Sequence, residues 1–331
     1  MPKLSKKIKD GCILMKKGII FILISTLLLS VVLLFVSRDN MEKKSDKIVI
    51  VATLFPQYDF AKQIGGDKVD VSLLLTPGTE THTYEPTPQD IIKINNADLY
   101  LYTGKYMEPW SDRIANGVDS DTKIVDVSTN VNLIESEHNE HEEDVDQEGH
   151  SHGYDPHIWL DPDRAIVMVN NIADALISVD GENTEYYRAN ADRYIAEIQN
   201  LDSDINKTIG GAKSKKIAFG GTFAYAYFIN KYNLEYVSAY DSCGEDTEPS
   251  VTNIKKVIDY MKENSINVIF YQEMSSGKIA DAIAKETGAE KLVFHTVHNA
   301  TLDEINRGET YVTIMRKNLE NLKIALKQNK E

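Results

Sequence analysis

Apolar positions along this chain fall into short β-branched runs that alternate with stretches of helical spacing. Residues 47–53 (KIVIVAT) form a β-branched run of the kind that fills a buried strand. Residues 55–64 then show helical spacing and stop at Gly65-Gly66. Strands are predicted over 69–75, 97–103 and 123–127, and helices over 89–96 and 109–117. This alternation predicts a parallel α/β sheet.

After a polar segment the spacing turns helical for longer. One helix is expected over 163–178. A second runs over 184–209, with Asn183 as its cap and Gly210-Gly211 as its stop. Its apolar positions (Tyr187, Ala191, Tyr194, Ile195, Ile198, Leu201, Ile205) keep helical spacing throughout. A helix this long suits a bridge between two lobes. Strands at 216–219, 235–239, 267–271 and 291–294 then alternate with helices at 223–231, 250–263 and 276–287, and a helix at 310–327 follows. The pattern therefore predicts two α/β lobes: 46–182, carrying a polar loop at 135–152, and 212–331. Residues 183–211 bridge them, and 1–45 form a signal or anchor with a linker. No internal repeat is evident. Clefts at strand carboxyl ends are the expected ligand sites of such sheets.

Residues 18–36 (GIIFILISTLLLSVVLLFV) carry no charge and approach the ~20 residues that span a bilayer. Lysines precede the run, which places the body outside the cytoplasm. No small-residue cleavage pattern follows before Arg38, and no cysteine stands just after the run for lipid attachment. A retained anchor is expected; cleavage would instead leave the body secreted or periplasmic.

The net charge of −15 over 331 residues argues against a nucleic-acid partner. Six of the lysines precede the apolar run, so the acidity belongs to the body and suits attraction of cations. Cys12 and Cys243 lie on opposite sides of that run, which leaves neither a disulfide scaffold nor a thiolate zinc site.

The eight histidines are unevenly placed: His82, the run from His138 to His157, and the pair His295 and His298. His82 and His157 lie in proline-bounded loops, and His298 follows a predicted strand. Three imidazoles at loop positions on a common edge can hold a divalent metal. His138, His141, His150 and His152 sit instead among acids in residues 135–152, a composition unsuited to folding alone. Histidines so dense have no packing role there, and a low-affinity metal collector is expected, the alternative being a solvated acidic loop.

PGTETHTYEPTP (77–88) resembles the first histidine signature of the ZnuA-like (cluster A-I) substrate-binding proteins of zinc and manganese ABC importers. DPHIWLDP (155–162) is similar to the second. EPS at 248–250, FYQE at 270–273 and YVTIMRKNLENLKIAL at 311–326 also match, so the resemblance covers about residues 46–328. It implies two α/β lobes joined by one long rigid helix, with a metal site in the interlobe cleft. It makes His82 and His157 first-lobe ligands. The family's third ligand falls on Thr222, a poor zinc ligand, and its fourth falls on His298. The implied set is His82, His157 and His298 plus a position filled by water or by His295, Glu245, Asp241 or Glu273. Three imidazoles favour Zn2+ over Mn2+ or another divalent metal. The resemblance further implies a monomeric extracytoplasmic carrier that delivers the ion to an ABC permease, and no enzyme. The alternatives are a zinc-dependent hydrolase using the open position, against which no H-E-x-x-H motif occurs, and a metal-stabilised surface adhesin.

Overall fold

The computed structural model describes residues 47–77, 79, 84–115, 117–118, 121–135, 153–240 and 249–328. The apolar run at 18–36, the histidines at 82, 138, 141, 150 and 152, both cysteines, Asp241 and Glu245 lie outside them. Among the described residues no helix is long and apolar enough to cross a membrane.

Residues 47–331 group as one compact unit, built on two four-stranded sheets. The first contains β1 (Ile48–Ala52), β2 (Val69–Leu73), β3 (Leu99–Tyr102) and β4 (Lys123–Asp126), in the order β2-β1-β3-β4. All pairs are parallel, with Ile50 opposite both Val71 and Leu99. The IVIVA run of β1 is central because both of its faces and both of its edges are covered. Helices α1 (Phe55–Gly65), α2 (Pro88–Asn95) and α3 (Ser111–Ala115) provide the crossovers. Thr87 caps α2 reciprocally with Asp90, and Pro88 opens it.

Two long helices follow, α4 (Pro162–Val179) and α5 (Thr184–Gly210). At 27 residues, α5 runs roughly 40 Å. It buries Tyr187, Ala191, Tyr194, Ile198, Leu201 and Ile205 as the spacing predicts, with Ile195 at the margin. Asn183 precedes it but does not cap it; its side chain donates to Asp180 instead.

The second sheet contains β5 (Lys216–Phe219), β6 (Glu235–Ser238), β7 (Val268–Tyr271) and β8 (Glu290–Val293), ordered β6-β5-β7-β8 and parallel throughout. Its helices are α6 (Ala226–Tyr232), α7 (Val251–Glu263) and α8 (Lys278–Thr287); α9 (Leu302–Asn306), unanticipated from spacing, and α10 (Tyr311–Gln328) complete the chain. The two sheets thus repeat one topology that the sequence does not announce. Each has its switch point between its first and third strands, where carboxyl ends open a crevice. Helix α6 begins later than its spacing suggests. Tyr225 is turned into the core, where its hydroxyl donates to the carbonyl of Phe294.

One apolar core joins the lobes. It runs from Phe60 and Trp159 through Tyr311 to Phe219 and Phe294. Helix α10 packs on α1 and α5 and on β5, β7 and β8. At its start, the Tyr311 amide donates to Asp59 (2.8 Å), whose carboxylate also accepts from Tyr194 and Gln63. Burial pushes the Asp59 carboxyl above its ordinary value despite these donors.

At the first switch point Glu108 is fully buried. Its carboxylate accepts from the Thr53 hydroxyl and from the Thr103 amide (2.8 Å). Burial outweighs those hydrogen bonds and pushes its pKa up to about 8. A carboxyl whose folded pKa is raised stabilises the fold fully below its unfolded pKa, and that contribution is lost as pH climbs towards the folded value. Wild-type stability in urea should therefore fall between about pH 5 and pH 8. Glu108→Gln should flatten that fall, because its amide can donate to the Thr53 oxygen while its carbonyl accepts from Thr103. Parallel pH slopes for the two proteins would show that Glu108 is not the titrating group.

Candidate metal site

The segments that carry the three candidate histidines leave the carboxyl ends of β2, β4 and β8. His157 closes a tight turn. Asp155 accepts from its backbone amide (2.8 Å) and from Nδ1 of its ring (2.9 Å). A carboxylate can only accept, so Nδ1 carries a proton, and in the neutral ring Nε2 carries the lone pair. This is how metal-ligating histidines are commonly oriented. A 3-10 turn follows at Ile158–Leu160 and directs Trp159 into the core, fully buried.

Trp159 ties this segment to the second lobe, as its indole Nε1 donates to the carbonyl of Thr296 (2.8 Å). Its own carbonyl accepts from the Tyr311 hydroxyl (2.8 Å). His157 and His298 therefore each lie two residues from one end of a single interlobe hydrogen bond. A second tie meets His298 directly: its carbonyl accepts from the Phe55 amide (3.1 Å), just beyond β1. A third involves the next residue, as Asn299 donates to the carbonyls of Thr76 (3.4 Å) and Thr79 (3.3 Å). Thr76 and Thr79, in the segment after β2, therefore border the His298 segment. His82 itself lies outside the described residues. Among the described residues no group of three or more His, Cys, Asp or Glu side chains is placed to hold a metal.

The second lobe's other candidates have assigned partners. The Thr222 hydroxyl donates to Gln272 across the ends of β5 and β7. Nearby Gly220 has a packing role, since a Cβ there would lie 2.8 Å from the Ala280 backbone of α8. His295 is buried, and its Nδ1 accepts from the Val297 amide (2.9 Å). Its Nε2 stands 3.6 Å from Glu304, an ion-pair distance rather than a hydrogen bond. Burial opposes its protonation, but the carboxylates of Glu273 and Glu304 outweigh burial and raise its pKa. His295 thus has a structural role as a loop-former. Glu273 accepts from the Thr296 amide and hydroxyl, and lies 3.9 Å from Nδ1 of His298.

The polar segment at 135–152 springs from a closed base. Glu135 bridges Tyr154, and the Asp155 amide donates to Ile134 (2.9 Å). Tyr227 of α6 clasps the same base, accepting from the Ile134 amide (3.0 Å) and donating to the Asp155 carbonyl (2.8 Å). Sequence reasoning located the histidines but missed what orients them. Asp155, two residues before His157, was readable as a turn-forming neighbour; Glu273 and Thr296 were not, since only the adjacency of β7 and β8 brings them together.

The chain matches the family "Zinc-uptake complex component A periplasmic" over residues 50–325. It is 36% identical over 292 residues to the high-affinity zinc uptake system protein ZnuA of Bacillus subtilis, covering 88% of this chain and 91% of that protein. It is 34% identical over 303 residues to the zinc-binding lipoprotein AdcA of Streptococcus pneumoniae, covering 91% of this chain but 60% of that longer protein. Among solved structures, the metal-dependent lipoprotein YcdH of Bacillus subtilis aligns with TM-score 0.72 and 35% identity, over 85% of this chain and 99% of that one. The Zn(II)-bound ZnuA-like domain of Streptococcus pneumoniae AdcA aligns with TM-score 0.71 and 31% identity, over 85% and 99%. The family is one of uptake-system binding components and not of enzymes, which sets the hydrolase alternative aside. With two topologically matched lobes, a long connecting helix and a family match over most of its length, the chain belongs to the ZnuA family of zinc-uptake proteins.

Proposed function

We propose that this protein captures Zn2+ outside the cytoplasm with His82, His157 and His298 and passes it to an ABC permease. One observation carries the reading: His157 and His298, from different lobes, flank the same Trp159–Thr296 hydrogen bond. Asp155 also fixes the His157 ring with its lone pair on Nε2. Family membership supports zinc as the cargo, and three imidazoles suit it better than manganese. The 18–36 run would anchor the body, with 1–45 as anchor and linker, 46–182 and 212–331 as lobes, and 183–211 as the bridge. The acidic histidine segment would collect ions at the mouth of the site, its base clasped by Tyr227 beside Asp155. The protein would work as a monomer.

His82→Ala, His157→Ala and His298→Ala should each weaken zinc binding by orders of magnitude in calorimetry on the full chain. Wild-type affinity in any one of them removes that residue from the site.

Replacing residues 136–152 by a short Gly-Ser turn keeps the Glu135–Tyr154 bridge. This variant should bind fewer zinc ions while retaining the tight one. Loss of the tight site would make the segment part of it rather than a collector.

A further inference from the structure

We propose that Glu273 and Thr296 are the positioning pair of His298, a carboxylate–hydroxyl relay that fixes the ring tautomer and strengthens its ligating nitrogen. This inference rests on the metal-site reading above and deepens it.

Thr296 is fully buried, and its hydroxyl touches two groups, Oε1 of Glu273 (2.5 Å) and Nδ1 of His298. A hydroxyl has one hydrogen to give, and a carboxylate can only accept. That hydrogen is therefore spent on Glu273, and the oxygen must accept from Nδ1–H of the ring. The neutral imidazole is left with its lone pair on Nε2, the arrangement that Asp155 imposes directly on His157. The two ligands proposed for the site are thus oriented alike, one by a carboxylate and the other by a carboxylate acting through a hydroxyl. The negative charge of Glu273, 3.9 Å from Nδ1, polarises the ring and raises its basicity as a ligand.

The relay is held on a strained tripeptide. Val297 has φ +64° and is fully buried, in a region that β-branched residues seldom adopt. Its amide is satisfied by Nδ1 of His295. The Thr296 carbonyl is held by Trp159, the His298 carbonyl by Phe55, and the Thr296 amide by Oε2 of Glu273 (2.8 Å). First-lobe donors therefore fix the backbone on both sides of the strain, while Glu273 fixes the side chains. With both its oxygens engaged by Thr296, Glu273 serves the site through that residue rather than as a ligand itself.

The test is zinc affinity of the full chain as wild type, His298→Ala, Thr296→Val, Thr296→Ser and Glu273→Gln, with metal-free melting run alongside. Thr296→Val should weaken binding roughly 10–100-fold, as loss of outer partners commonly does. Thr296→Ser should restore it, because it keeps the hydroxyl. Histidine 15N NMR of the metal-free wild type should place the His298 proton on Nδ1, a readout that needs no variant to fold. A proton on Nε2, or wild-type affinity in Thr296→Val beside an impaired His298→Ala, overturns the relay. Glu273→Gln as damaging as His298→Ala beside an unaffected Thr296→Val also overturns it, in favour of direct ligation. Wild-type affinity in His298→Ala would defeat the underlying site reading instead, and is distinguishable for that reason.

Discussion

The hydrogen bond from the Trp159 indole to the Thr296 carbonyl holds together what the two sheets alone would leave apart. Both ends are fully buried, so neither group has water as an alternative partner. Such a bond contributes about 1 kcal/mol net, but leaving one buried partner unsatisfied costs about 1–3 kcal/mol. The Tyr311 hydroxyl then holds the carbonyl of Trp159, and the Tyr311 amide rests on Asp59 of α1. A loop of the first lobe, a loop of the second and the C-terminal helix thus share one polar thread through an apolar core. The segments of His157 and His298 inherit their relative position from it.

Other buried polar groups of the core also sit where chain segments meet. Asp59 and Glu108 are buried carboxyls whose burial raises their pKa, which marks a cost to the fold. Each is retained where chain segments must meet at a fixed angle: Asp59 where α1, α5 and α10 converge, Glu108 where β1 and β3 open. The strained Val297 belongs to the same economy. Its conformation persists because donors from the other lobe bracket it.

Much of the architecture was legible in the sequence. The β-branched runs gave the strands, and apolar spacing from Tyr187 to Ile205 gave the long helix. What stayed hidden was set by tertiary contacts. The IVIVA of β1 and the KIAF of β5 occupy equivalent central places in matched sheets, yet share too little to reveal the repeat. Asn183 looked like a cap, but Asp180 competes for its side chain. Ligand-type residues were visible because histidine and proline punctuate their loops. His295 stood in the sequence only as one candidate for the open position, and the Val297 amide that donates to its Nδ1 could not be read there. Thr222, where the resemblance places a ligand position, has its hydroxyl paired with Gln272.

In the proposed site two lobes contribute imidazoles to one zinc ion. X-ray absorption at the zinc edge, on the full chain loaded with a single equivalent, tests this most directly. Three imidazole nitrogens at about 2.0–2.1 Å and no sulfur are expected. A sulfur neighbour near ~2.3 Å, or an oxygen shell without imidazole scattering, would contradict it.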